Sequence, residues 1–390
     1  MNFRSWLVPR SLSAFGFSIL LSFVVAPRVA EAQWIAANPV TSVEKQADGP
    51  LFTVQTGKVK LQVCTDSIIH VVYAPVWPAA DHKNYVVTKR DWAAVNWSMQ
   101  SGDKDLTITT ARLKVKVDRA DGMVTYFDAD GKKLLAEGPK QITPATVNNE
   151  RTFHAEDVLK IYGSEEAFYG LGQHQAGVWN YRGDDVQLEQ DNTNISVPMF
   201  LSSKGYGVFW NNSSISRFDN RFVHYLFLGS EVADAIDYYF FYGPSFDQII
   251  AAYRTLTGEA ALYGEWAYGF WQSKNKYASQ QEILGVAEKY RQKRIPIDNI
   301  VQDWFWWTRT GEFKFNEKYP DPKAMVDELH REHYHLMISV WPFFDPGSET
   351  YADMEKRGYF IAKTTVQAFH PKGAALYDPF NPAARKYTGV

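Results

Sequence analysis

With one cysteine, Cys64, in 390 residues, the chain can form no internal disulfide, and its cores must stand on packing alone. A basic excess is also missing. Lys and Arg total 41 against 44 Asp and Glu, and no basic stretch exceeds Lys132-Lys133 or the Arg291 to Arg294 cluster. That balance argues against a nucleic-acid partner and for one that is uncharged or small. The apolar run Leu12 to Val25 is shorter than the roughly 18 to 20 residues needed to span a bilayer and is broken by Ser13, Ser18 and Ser22, so no stable membrane insertion is expected. There is no Gly-x-Ser-x-Gly elbow and no His-Glu-x-x-His zinc motif. Tyr169-Gly170-Leu171-Gly172-Gln173-His174 lacks the third glycine and the lysine of a phosphate loop and reads as a tight turn in a sandwich. His330, His333 and His335 have ligand-like spacing but span a helix end and a strand start, so no metal is expected.

Aromatic residues, in contrast, are abundant. They make up 15% of the chain, with 13 Trp, and cluster in Trp304-Phe305-Trp306-Trp307 and Trp341-Pro342-Phe343-Phe344, as large core residues or as the flat walls of a pocket. An apolar fraction of 45% rules out a disordered chain, and the length supports two or three domains at roughly 100 to 200 residues each. Residues 1–32 read as a cleaved export signal: Arg4 and Arg10 precede the apolar stretch, and Ala30-Glu31-Ala32 offers a cleavage site before Gln33. The mature protein is therefore expected in the periplasm or outside the cell.

Residues 33–260 carry the pattern of a β-sandwich. Val59, Leu61 and Val63 alternate with Lys58, Lys60 and Gln62, and Leu113, Val115 and Val117 with Arg112, Lys114 and Lys116. Asp121-Gly122 and Asp130-Gly131 separate three such runs into an antiparallel meander, and further strands are predicted at Gly205 to Asn211 and Ile236 to Tyr242. A helix closes this region, with Ser245 and Gln248 as a capping box and Gly258 as its stop.

Residues 261–390 change period. Predicted strands at Tyr268 to Gln272, Asn299 to Trp304 and His335 to Trp341 alternate with helices opened by Ser279, with Glu282 three residues on, and by Asp321-Pro322. A short helix ends near Gly358, and another opens at Asn381-Pro382 and runs into Val390. Repeated strand-helix units mean a parallel sheet, and the apolar run Leu336 to Trp341 fits a strand buried on both faces. A (β/α)8 barrel needs about 250 residues. This region holds about half of that, which predicts an incomplete TIM barrel and a fragmentary chain, with a smaller open α/β sheet as the alternative. Polar groups at the C-terminal ends of barrel strands build active sites. Asp303 and Asp345 follow two such strands beside Trp304 and Trp341, and a carboxylate next to an indole suits a sugar, accepting from its hydroxyls while the ring covers its apolar face.

Gly269-Phe270-Trp271-Gln272-Ser273-Lys274, Arg294 to Trp304, and His335-Leu336-Met337-Ile338-Ser339-Val340-Trp341-Pro342 resemble glycoside hydrolase family 31. The likeness begins in the sandwich, at Phe168 to Gln173 and Ser202 to Val208, and continues through Tyr377-Asp378-Pro379-Phe380-Asn381-Pro382. It implies a sandwich packed on a (β/α)8 barrel, retaining hydrolysis of α-linked sugars by two aspartates, no cofactor, and an oligosaccharide substrate. By the same resemblance the nucleophile and the acid/base lie beyond Val390, so no catalytic residue is assigned; Asp353-Met354-Glu355 lacks the family's Trp and is not taken as the nucleophile. Asp303 resembles the acid that holds the non-reducing-end sugar, Trp304 and Trp341 its walls, and Asp191 an acid carried by a sandwich loop. Trp271 and Asn275 are further wall residues. The motif versions look most like bacterial α-xylosidases, with an α-glucosidase or transglucosidase as the alternative. A non-catalytic sugar-binding or non-functional polypeptide is the reading from another class.

Overall fold

A computed structural model describes residues 37–80, 84–163, 165–365 and 370–389, and the export signal expected at 1–32 lies outside them. The chain divides into two compact units at Glu259/Ala260.

The first unit is two antiparallel sheets. One has eight strands in the order Val40–Gln46, Gly49–Val54, Gly57–Val63, Ile68–Ala74, Ile236–Tyr242, Tyr206–Trp210, Ile195–Ser202 and Phe168–Gln173. The other has nine, ordered Asp185–Leu188, Ser216–Asp219, Tyr225–Ala233, Glu150–Lys160, Lys133–Val147, Val124–Asp128, Leu113–Asp118, Asp105–Thr109 and Ser98–Ser101. The alternation that predicts these strands also sets their burial: Leu113, Val115 and Val117 are buried, and the lysines between them are not. Inward residues of both sheets, among them Phe52, Val71, Val115, Tyr126, Phe218 and Phe240, form one core. A polar cluster sits inside it. Glu137, 1% exposed, accepts from the Val124 N–H at 2.6 Å and the Tyr238 hydroxyl at 2.5 Å, and pairs with Lys140, while Tyr126 and Tyr238 share a 2.9 Å hydrogen bond. Asp157 beside them is wholly buried, and burial and the Glu137 charge push its carboxyl well above the ordinary aspartate range.

The helix Phe246–Thr257 has the expected capping box: Ser245 accepts the Gln248 N–H, and the Gln248 side chain returns to the Ser245 N–H. Its Ile249 and Leu256 pack in a second core with Ile68, Phe241 and Cys64. Burial pushes the Cys64 thiol up to about 12.

The segment read as a tight turn at Tyr169 to His174 is, down to Gln173, an edge strand paired with Ile195–Ser202. Its glycines bend a strand instead of ending one. The register shifts between Gly170 and Gly172, whose φ angles are 103° and 99°, and a Cβ on Gly172 would lie 1.9 Å from the Ile195 carbonyl oxygen.

The second unit contains a three-stranded parallel sheet, Trp271–Gln272, Asn299–Gln302 and His335–Ile338, with helices Gln280–Gln292 and Pro322–Arg331 in the connections. Ser279 and Asp321 cap these helices by accepting the N–H groups of Glu282 and Ala324. Ile283, Ala287, Met325 and Leu329 face a core with Ile300, Trp306 and Tyr334. Among the described residues these strands form no closed barrel.

Several expectations change here, and the second strand ends at Gln302 instead of Trp304. The segment before Gln272 is a 3-10 turn, Glu265–Tyr268, leaving only Trp271 and Gln272 in the strand. The third strand stops at Ile338: one more ladder bond, Ser339 N–H to Gln302 oxygen, follows, the Ser339 carbonyl goes to the Trp306 indole, and Pro342 has no N–H to give. That strand is an edge, with Met337 49% and Ile338 38% exposed, so it is not buried on both faces. Beyond it, Phe343–Phe344, Ala375–Tyr377 and Phe360–Lys363 form a small antiparallel sheet that the sequence pattern did not predict. The helix Tyr351–Lys356 precedes Gly358, and the helix opened by Asn381 spans Pro382–Thr388, capped by Gly389 in the left-handed region, so it stops short of Val390.

Candidate active site

Each parallel strand delivers its next residues to one end of the sheet. Asp303 follows Gln302 directly, and its Oδ1 accepts the Trp304 N–H at 2.7 Å, which fixes the carboxylate at the turn where the chain leaves the sheet. Phe305, with φ of 69°, completes that turn. Trp304 is then directed by contacts on three sides. Its indole N–H donates to Asn275 Oδ1 at 2.6 Å, its ring lies parallel to Trp341 at 5.3 Å and 8°, and Phe305 lies 3.7 Å from it. Trp341 also meets Trp307 edge-on at 5.8 Å and His370 at 5.2 Å. Asn275, Asp303, Trp304 and Trp341 therefore form one connected group.

The other expected residues have these surroundings. Trp271 pairs with Asn299, the first residue of the second strand, and its indole N–H bonds the Ala267 carbonyl at 3.0 Å. Its neighbour Trp266 stacks at 4.0 Å on His335, the first residue of the third strand. Trp271 is thus grouped with residues that start strands, and Asp303 with those that leave them. Asp191 belongs to the first unit, in an exposed turn where its Oδ1 accepts the Asn192 N–H at 2.6 Å and its carbonyl the Asn194 N–H at 3.1 Å. Asp345 turns its Oδ1 to the Gly347 N–H at 2.7 Å, and Asp353 is ion-paired with Arg357 at 2.8 Å on an exposed helix face.

Two participants escaped the sequence reading. The Lys276 ammonium lies 4.1 Å from the Phe305 ring centre and 6.0 Å from that of Trp304, a cation over aromatic faces that no spacing rule announces. His370 stacks on Phe343 at 4.1 Å, its Nδ1 is buried without a partner among the described residues, and burial lowers its pKa. Tight anchoring lies below the group: the Tyr290 hydroxyl donates to Gln272 Oε1 at 2.5 Å and the Tyr319 hydroxyl to the Tyr277 carbonyl at 2.6 Å. The arrangement offers a carboxylate, an amide and indoles on a rigid sheet end, which is chemistry for holding a polyhydroxylated ring.

Residues 260–389 match the glycosyl hydrolases family 31 TIM-barrel domain, and residues 58–219 the glycosyl hydrolase 31 N-terminal galactose mutarotase-like domain. An α-xylosidase of Saccharolobus solfataricus is 35% identical over 322 residues, 80% of this chain and 44% of that protein. An uncharacterised family 31 glucosidase of Pseudescherichia vulneris is 33% identical, over 68% of this chain and 55% of its own length. The chain thus spans about half the length of these curated relatives. The crystal structure of an α-xylosidase from Xanthomonas citri superposes with a TM-score of 0.80 at 23% identity, covering 89% of this chain and 55% of that one, which is a likeness of fold. With the sandwich and barrel models matched in their order along the sequence, the chain belongs to glycoside hydrolase family 31.

Proposed function

We propose that this chain contributes the sandwich and the substrate-holding strands of an exported, retaining α-glycosidase that removes a terminal α-linked xylose from an oligosaccharide. The observation that carries the reading is the group at the sheet end: Asp303, fixed by the Trp304 N–H, beside parallel indoles of Trp304 and Trp341. A carboxylate there accepts from sugar hydroxyls, and the aromatic walls cover the ring. Bond cleavage with retention needs two carboxylates about 5 to 5.5 Å apart, and none of this chain's residues is assigned to that pair. The preference for xylose rests on the α-xylosidase relative and the motif versions, and the glucosidase relative supports the α-glucosidase alternative.

The test is activity of a form extended to the length of its relatives, on α-xylosides and α-glucosides side by side. Faster release from the α-xyloside is expected; faster α-glucoside cleavage rejects the preference. In that form Asp303→Ala is expected to lower kcat/KM by at least about a hundredfold, the scale of losing a charged hydrogen bond in a closed site, with the fold retained. Near-normal turnover would remove Asp303 from the site. N-terminal sequencing of the exported product is expected to begin at Gln33.

A further inference from the structure

The outer face of the nine-stranded sheet holds a groove of about 540 Å³ that the family chemistry does not use. It runs along one row of cross-strand neighbours. Gln141 pairs with Glu156, Glu156 with Gly229, Gly229 with Arg217 and Arg217 with Gln187, so five strands place these residues side by side on one face. That face points away from the core, because the residues between them along the strands, such as Ala155, Leu228, Phe218 and Leu188, are buried.

Gly229 is the unusual member. It lies inside the strand Tyr225–Ala233, where glycine weakens a sheet. Its backbone does not demand glycine, since it is absent from the residues of positive φ. Its neighbours do not demand it either: a Cβ there would meet only the Ala155 carbonyl oxygen, at an ordinary 3.5 Å. What the missing side chain does is leave the floor of the groove bare. Glu156 and Arg217 stand on either side of that floor, two strand spacings or about 10 Å apart. Among the described residues the Glu156 carboxylate has no hydrogen-bond partner, and Arg217 spends only Nη2, on Asp185 at 2.5 Å and Asp219 at 3.3 Å. Thr143, Asp185 and Glu231 also line the groove.

We propose that this groove is an accessory binding site for a neutral oligosaccharide, with Gly229 as the floor under one sugar ring and Glu156 and Arg217 as its walls. An acceptor wall faces a donor wall across a bare strand. Each sugar hydroxyl both donates and accepts, so it satisfies both walls at once. The acidic lining residues Glu156, Asp185 and Glu231 disfavour an anion, and the ion pairs of Arg217 with Asp185 and Asp219 leave its other guanidinium N–H groups as donors to a neutral ligand. The inference does not depend on which glycoside the family site prefers.

The experiment is calorimetric titration of the whole chain with a xylosyl-branched glucan oligosaccharide, with a linear maltooligosaccharide and with oligolysine. Binding of a neutral sugar is expected to persist in Trp341→Ala, which alters the other sugar-facing group. It is expected to weaken more than about tenfold in Gly229→Thr, whose side chain fills the floor while suiting a strand, and similarly in Glu156→Ala, which leaves the sheet untouched. Circular dichroism checks that each variant is folded, and Glu156→Ala carries the test alone if Gly229→Thr is not. No heat from either sugar, sugar binding lost in Trp341→Ala but kept in Glu156→Ala, or salt-sensitive binding of oligolysine alone would each overturn the proposal.

Discussion

The two units handle their sheet edges and interiors in opposite ways. In the sandwich, inward side chains of two large sheets meet in one core, and even charged groups are drawn in and mostly bonded, as Glu137 is by Val124, Lys140 and Tyr238. In the barrel part the sheet has three parallel strands, and the last one leaves Met337 and Ile338 exposed. Most neighbouring strands of the sandwich follow one another as antiparallel hairpins, and pairs such as Ile68–Ala74 with Ile236–Tyr242 then join distant stretches of the sequence. A parallel strand must wait for a helical crossover before its neighbour arrives.

If burial in the sandwich is complete, its polar cluster is its most sensitive point. Glu137→Ala leaves the Lys140 ammonium, the Val124 N–H and the Tyr238 hydroxyl without their acceptor, and urea unfolding is expected to show a loss of about 3–5 kcal/mol. The matching cut in the second unit is Trp306→Ala. That ring is 2% exposed and its indole N–H holds the Ser339 carbonyl, so a loss on the same scale, about 3–5 kcal/mol, is expected there despite the open edge. A loss in that unit below about 1 kcal/mol would mean its core contributes little.

A pH experiment sharpens the contrast. Asp157, its carboxyl raised by burial and by Glu137, keeps in the folded state a proton that the unfolded chain releases. Stability from this group is therefore full below the unfolded aspartate value of about 3.9 and falls as pH rises toward the raised folded value. Asp157→Asn removes that slope. Urea midpoints of the two proteins are expected to converge in acid, with the variant the more stable as pH rises; parallel curves would show that Asp157 ionises normally. The smallest effects belong to the caps. Ser245→Ala in the first unit and Asp321→Ala in the second each remove an acceptor for one helix N–H, and each is expected to lower stability by about 1 kcal/mol.

Features with a strong local cause were legible in the sequence. Ser245, Ser279, Asp321 and Asn381 announce their helices because a capping side chain acts within three residues, and period two along Leu113 to Val117 reports a face that is buried. Features set by distant partners were not. Phe343–Phe344 and Ala375–Tyr377 are too short to show a period and are set by pairing with each other and with Phe360–Lys363. Gly170 and Gly172 look like a turn until the strand Ile195–Ser202 lies against them. At the site, Asp303, Trp304 and Trp341 stood out by chemistry beside a strand end. Lys276 over Phe305 and His370 on Phe343 come from loops, whose side-chain directions no repeat encodes.

The burial of Cys64 has a use beyond packing. A thiol whose ionisation is pushed up to about 12 offers almost no thiolate to a reagent at neutral pH while the sheet around it is closed. As the sole cysteine of the chain, it reacts only during moments when the first unit opens. The rate at which a maleimide label accumulates then counts those openings, and the chain carries its own clock for the breathing of one unit while the other stays silent.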